Sequence, residues 1–207
     1  MINSYQSLAM RTSQWQPNHP NYRKAEHRTY GEISVAGETG ELVDAVKKRI
    51  FHGRRDDEKI VNEGGDVCWS VACLCEVHGI EFGKIAQSGI DSASNFDIED
   101  DALDMFRYAG FAISASQCEK MDELGRNLAN VIACVVSIAA DAGATLEDVL
   151  AANVTKLRKR YPDGYSEAAS IARADVEGTP TANHRCVATI DRGTVSTAPG
   201  AIAEGEG

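Results

Sequence analysis

Two segments of the chain, Glu38-Thr39-Gly40-Glu41 and Glu63-Gly64-Gly65-Asp66, each place two carboxylates three residues apart inside a stretch patterned as helix. Side chains at i and i+3 stand one above the other on the same helical face. Each pair therefore offers two acids in one direction, and two such helices packed face to face bring four carboxylates together. Four partly buried carboxylates need a compensating charge. A hard divalent cation supplies it, and Mg²⁺ bound through carboxylates and waters commonly works on phosphates. The pairs point to metal-assisted hydrolysis of a phosphate ester or anhydride.

Helical periodicity runs through most of the remaining chain. A short helix is expected over 4–14, with Ser4 as its cap and Tyr5, Leu8 and Ala9 on one face, broken by Gln16-Pro17-Asn18-His19-Pro20-Asn21. Ile33, Ala36, Leu42, Ala45, Val46 and Ile50 form an apolar stripe over 25–51, a long helix with possible breaks at Gly31, Gly37 or Gly40. Lys47, Lys48 and Arg49 crowd its last turn, where cations suit the helix dipole, and His52-Gly53 ends it. Asp56 or Asp57 caps the next helix, 57–78, which beyond Asp66 is apolar on nearly every face and so belongs in a bundle centre or an interface. Further helices are expected over 81–90, 98–117, 120–142, 145–160 with Thr145 as cap, and 166–174. The fold class is all-α, a helical bundle.

Asp66 to Gly79 resembles Asn130 to Gly143, at an offset of 64 residues at both ends (66 to 130, 79 to 143). In the second copy Asn127 and Asn130 stand where Glu63 and Asp66 stand in the first, a duplication with the acids removed. The chain then divides into a half carrying the acids, 1–90, a second helical half, 91–174, ending in a basic helix, and a tail, 175–207. The tail is rich in Gly, Thr, Ala, Pro and Ser and reads as loosely held, with Cys186 to Ile190 as a lone strand.

A net charge of −10 argues against non-specific binding to a nucleic-acid backbone, which needs a basic footprint, and leaves room for a locally positive nucleotide site. The six cysteines show no zinc-ribbon or CxxC spacing and read as reduced, mostly buried thiols. The N-terminus has no basic and apolar leader pattern, and the longest apolar run, Val131 to Ala140, is too short to span a bilayer. A cytoplasmic protein that binds no membrane is expected, in the host cytoplasm if its origin is a phage.

The run Gly37-Glu38-Thr39-Gly40-Glu41-Leu42-Val43-Asp44-Ala45-Val46-Lys47-Lys48, then His52-Gly53, then Glu63-Gly64-Gly65-Asp66-Val67-Cys68-Trp69, resembles the MazG-like nucleotide pyrophosphohydrolases. These belong to the all-α NTP pyrophosphohydrolases, related to the dimeric dUTPases. The ending Ala152 to Tyr165, with Arg160-Tyr161-Pro162-Asp163-Gly164, resembles the close of short members. Residues of about 87–143 intervene where short members have a single turn and a short helix, consistent with a partial duplication in which one chain mimics a dimer. The resemblance implies a Mg²⁺ site, with Mn²⁺ as a possible substitute, ligated by Glu38, Glu41, Glu63 and Asp66. It implies hydrolysis of a nucleoside triphosphate to the monophosphate and pyrophosphate, for pool control or house-cleaning, in a homodimer or higher homo-oligomer. It also carries Asn153, Lys156 and Tyr161 over as substrate-contacting positions.

Among the acids, Glu41 is the choice for orienting or deprotonating the attacking water. Gly40 and the Gly64-Gly65 doublet, costly inside helices, suggest close approach of a helix or ligand. Trp69, three residues after Asp66, and Trp15 offer faces for a base; His52 and His78 sit at helix ends as capping residues. A different class remains open: a catalytically degenerate member acting as a nucleotide-binding or regulatory module, which the acids lost from the second half would favour. So does a phosphohydrolase releasing orthophosphate.

Overall fold

The acidic pairs lie on two long helices that pack along each other. A computed structural model describes residues 1–17, 22–93 and 97–173. Along the chain run α1 (Ile2–Met10), α2 (Lys24–His52), α3 (Asp57–His78), α4 (Phe82–Ser92), α5 (Ile98–Gln117), α6 (Met121–Asp141), α7 (Leu146–Arg160) and α8 (Glu167–Ala172). The protein is all-α, with no strand among the described residues. The lone strand expected from Cys186 to Ile190 lies outside them.

The α2–α3 hairpin and the α5–α6 hairpin pack side by side, α2 on α5 and α3 on α6. α4 lies along α6, while α1 bridges α3, α4 and α7. One apolar core runs through α1 to α7, centred on Leu42, Leu74, Met105, Leu124, Leu128, Ile132 and Leu150. By length and composition α6 could cross a membrane, yet its Leu124, Leu128, Ile132, Val135 and Ile138 are buried inside the bundle.

Local signals set the ends. Asp56 caps α3 by accepting from the Lys59 N–H, and Thr145 and Asp148 form a reciprocal capping box on α7. Gly79 ends α3 at φ 68°, a left-handed conformation that suits glycine. Three expectations are corrected. α2 is continuous through Gly31, Gly37 and Gly40, because burial of Val35, Leu42, Ala45 and Val46 outweighs three glycine costs of roughly 1 kcal/mol each, although Ile33 and Ala36 of the expected stripe face outward and are exposed. α1 starts before Ser4, whose hydroxyl donates back to the Met1 carbonyl rather than capping a helix. His78 does not serve as a cap: its Nε2 lies 2.9 Å from Ser116 Oγ, which in turn donates to Glu32, tying α3 to α5 and α2.

The five described cysteines are free; Cys68, Cys73, Cys75 and Cys134 are buried, Cys118 is exposed, and Cys186 lies outside the described residues. Burial pushes the Cys73 thiol up to about 12 and lowers His27, 3.3 Å away, to about 4, so both are neutral and inert.

Candidate active site

The four acids of the two pairs meet where α2 crosses α3. Oxygens of Glu38, Glu41 and Glu63 all lie within 4.8 Å of one another. Asp66 stands beside them, half-buried. Lys156 on α7 donates to both Asp66 oxygens, at 2.6 Å from Oδ1, and Asn153 Nδ2 donates to the same Oδ1 at 3.1 Å. Lys59, one turn before Glu63, donates to Glu63 Oε1 at 2.7 Å. Two lysines thus neutralise two of the four carboxylates, while Glu38 and Glu41 have no ion pair among the described residues.

Electrostatics records the crowding. Burial, then the charges of Asp66, Glu41 and Glu63, push Glu38 up to about 7, against the opposing pull of Lys156. Burial also raises Asp66, opposed by Lys156. Acids packed this closely hold a proton because a second or third negative charge is costly there. The donor set is all hard oxygen, its charge exceeds what Lys59 and Lys156 cancel, and its atoms converge. These residues fit a divalent cation of the Mg²⁺ or Mn²⁺ type.

Glu38, Glu41 and Asp66 form one wall of a cleft of about 500 Å³, whose other walls come from residues including Thr12, Ser13, Gln14, Tyr30, Trp69, Lys156, Arg160, Tyr161 and Tyr165. Trp69 is anchored by its edge: Nε1 donates to the Ala9 carbonyl at 3.3 Å and to Thr12 Oγ1 at 3.2 Å, and Tyr30 meets it edge-on at 6.2 Å. Tyr161 closes α7 with the Arg160 guanidinium 5.2 Å over its ring and Tyr165 alongside. The turn after α7 is clasped to the end of α1: Arg11 donates to the Pro162 carbonyl at 2.7 Å, and the Tyr165 N–H to the Arg11 carbonyl at 3.1 Å. That clasp brings Thr12, Ser13 and Gln14 together with Tyr161 and Tyr165 in the lining of one cleft, where the Tyr165 hydroxyl donates to Gln14 Oε1 at 3.3 Å.

Lys156, Tyr161 and Trp69 therefore line the cleft with Glu38, Glu41 and Asp66. Asn153 is fully buried and reaches the site only through Asp66. Trp15 turns away: it stacks on His27 and lines a separate surface depression with Ala25 and Ile33. Lys47 and Lys48 both pair with Asp44 on their own helix, and His52 is exposed. The glycines differ among themselves. A Cβ on Gly65 would stand 2.8 Å from Asn153 Cβ, so α7 does approach there; Gly64 has only ordinary contacts, and Gly40 has nothing within 4 Å, which corrects the expected close approach of a helix. Tyr30, Gln14 and Lys59 also belong to the site. Only Lys59, four residues before Glu63, carried a signal in the sequence, as an i,i+4 charge pair.

Residues 26–94 match the family model of the MazG nucleotide pyrophosphohydrolase domain. No curated protein and no solved structure gives a significant match. The matched segment contains all four acids and Trp69, whereas Lys156, Asn153 and Tyr161 come from α7, outside it.

Proposed function

We propose that the protein hydrolyses nucleoside triphosphates to the monophosphate and pyrophosphate with Mg²⁺; in support, residues 26–94 match the model of the MazG nucleotide pyrophosphohydrolase domain. The observation that carries this reading is the convergence of Glu38, Glu41 and Glu63 within 4.8 Å beside Asp66, along a cleft that also presents lysine, arginine and aromatic side chains. Glu38, Glu41, Glu63 and Asp66 would hold the cation. When bound, Mg²⁺ supplies charge neutralisation on the phosphate oxygens and a water more acidic than bulk. The chain's own residues do the rest. Lys156, now on Asp66, lines the cleft beside the acids and offers its ammonium to phosphate. Trp69 and Tyr161 present faces and edges on which a nucleoside can lie. Glu41 is the exposed acid of the set and has no ion pair among the described residues, so its oxygens are the ones available to take a proton from water.

Incubation with a panel of NTPs and dNTPs, followed by product analysis, tests the reading. Release of monophosphate and pyrophosphate, abolished by chelator and lowered in Glu41→Gln by roughly 10²–10⁴-fold, is the expected result. Orthophosphate as the first product sinks it. Nucleotide binding without any turnover in Mg²⁺ or Mn²⁺ would make the protein a binding or regulatory module instead.

We further infer that the two hairpins are copies of one unit, with the chain divided near residue 90. In support, α5 bears Asp101 and Asp104, again three apart, beside Asn130 on α6 around a cleft of about 80 Å³. Asn127 and Asn130 lack the charge of Glu63 and Asp66, Arg107 pairs with Asp104, and Asp101 accepts from Ser137. The second cluster has therefore lost the excess charge that draws a cation. Exposed Ile33 on α2 and Leu103, Phe106 and Phe111 on α5 support a homodimer or higher homo-oligomer, testable by light scattering.

A further inference from the structure

Tyr5 lies in α1, outside the family-matched segment, and does not line the cleft, yet its hydroxyl is linked to the acidic cluster through Asn153. The residue is fully buried. Its ring lies 5.0 Å from Phe82, and α1 is clipped in place by Gln6, whose amide donates to Glu76 at 2.8 Å and accepts from the Phe82 N–H at 2.8 Å. The phenol oxygen lies 2.8 Å from Asn153 Oδ1 and 3.4 Å from the Gly65 carbonyl. Asn153, also fully buried, donates through Nδ2 to Asp66 Oδ1 at 3.1 Å.

The direction of this chain of hydrogen bonds follows from donor inventory. An ionised carboxylate only accepts, so Asn153 must turn its NH₂ to Asp66 and its carbonyl to Tyr5, and Tyr5 must donate. Burial pushes the Tyr5 phenol well above its ordinary value, so the hydroxyl keeps that proton. The missing side chain of Gly65 is what lets Asn153 come this close to α3.

We propose that Tyr5 is a positioning residue for the cation site: its hydroxyl locks the orientation of the Asn153 amide, and the locked amide holds Asp66 in the pose in which it serves as a ligand. Without the hydroxyl, Asn153 Oδ1 is buried without its donor, and an amide flip that relieves this sets oxygen against the Asp66 carboxylate. Either outcome releases Asp66 to follow Lys156 alone. The inference rests on the metal-dependent reading above.

Tyr5→Phe removes one oxygen and keeps the ring against Phe82. Metal-free wild type, Tyr5→Phe, Asn153→Ala and the double variant are titrated with Mn²⁺, the free ion being followed by electron paramagnetic resonance, and are melted without metal as a control. Loss of a partner that orients a ligand commonly weakens metal binding 10–100-fold. Tyr5→Phe is expected to weaken Mn²⁺ about tenfold, and to add nothing in the Asn153→Ala background, because the lock it sets is already gone. The Mg²⁺ concentration giving half-maximal turnover should rise in parallel, with nucleotide KM at saturating Mg²⁺ unchanged. Wild-type Mn²⁺ affinity in Tyr5→Phe overturns the proposal, as do independent, multiplying losses in the double variant. The single variant decides alone if Asn153→Ala does not fold. A wild type that takes up no Mn²⁺ overturns the metal-dependent reading itself, and this inference with it.

Discussion

At the scale of single residues, Glu38 governs how the metal-free protein responds to pH. Its carboxyl is raised from 4.5 to about 7 by burial and by Asp66, Glu41 and Glu63. Between those values the folded protein keeps a proton that the unfolded chain has released, so stability falls as pH rises through this window. The melting temperature of metal-free protein should drop from pH 5 to 7, Glu38→Gln should flatten the drop, and saturating Mg²⁺ should abolish it. Parallel wild-type and Glu38→Gln profiles would show that the crowding is relieved some other way. Lys156 reports on the same charge: Lys156→Met leaves Asp66 without its ammonium, and should raise the Mg²⁺-free sensitivity to pH while lowering nucleotide affinity, read as KM.

At the scale of elements, glycine positions separate helices that touch from helices that do not. A Cβ on Gly65 would stand 2.8 Å from the Asn153 Cβ, so Gly65→Ala pushes α7 off α3. A loss of roughly 1–3 kcal/mol is expected, as for other overpacked cores, together with weaker metal binding. Gly37 and Gly40 have nothing within 4 Å of the added carbon and no left-handed backbone. Alanine there should stabilise α2 by roughly 0.5–1 kcal/mol each. Urea unfolding of the three variants measures both signs, and a destabilised Gly37→Ala would mean that the outer face of α2 is covered in solution. These glycines look alike in sequence; only the neighbour across the interface distinguishes them.

At the scale of the whole molecule, Arg49 joins three helices. Only 10% of its side chain is exposed; it pairs with Asp57 at the start of α3, and it donates to the side chain of Asp141 at 2.6 Å and to its carbonyl at 2.8 Å at the end of α6. In sequence it looks like one of three cations in a helix's last turn. Arg49→Met should cost about 1–3 kcal/mol, since charge-assisted hydrogen bonds are lost across the hairpins, without changing Mn²⁺ affinity, because the acids lie two turns or more away along α2. A Mn²⁺ affinity that falls with stability would show that the two hairpins are coupled through this end of the bundle.

The helices, the caps Asp56 and Thr145, and the four acids were legible in the chain, because helical periodicity, N-capping and i, i+3 spacing are local properties. Asp56, Thr145 and Gly79 act within a few residues of themselves, and the matched family segment, residues 26–94, contains Asp56, Gly79 and the four acids. What crosses the molecule was decided by packing. Asn153 reads as a substrate-facing amide on the basic helix, but the approach of α7 to Gly65 buries it between Tyr5 and Asp66. In sequence only its place three residues after Asp66 favours Trp69 over Trp15; packing turns Trp15 onto His27 and Trp69 onto the cleft. Spacing along a helix says which side chains share a face; which face meets which neighbour is a long-range choice, made when the hydrophobic stripes of α1 to α7 bury one another in a common core.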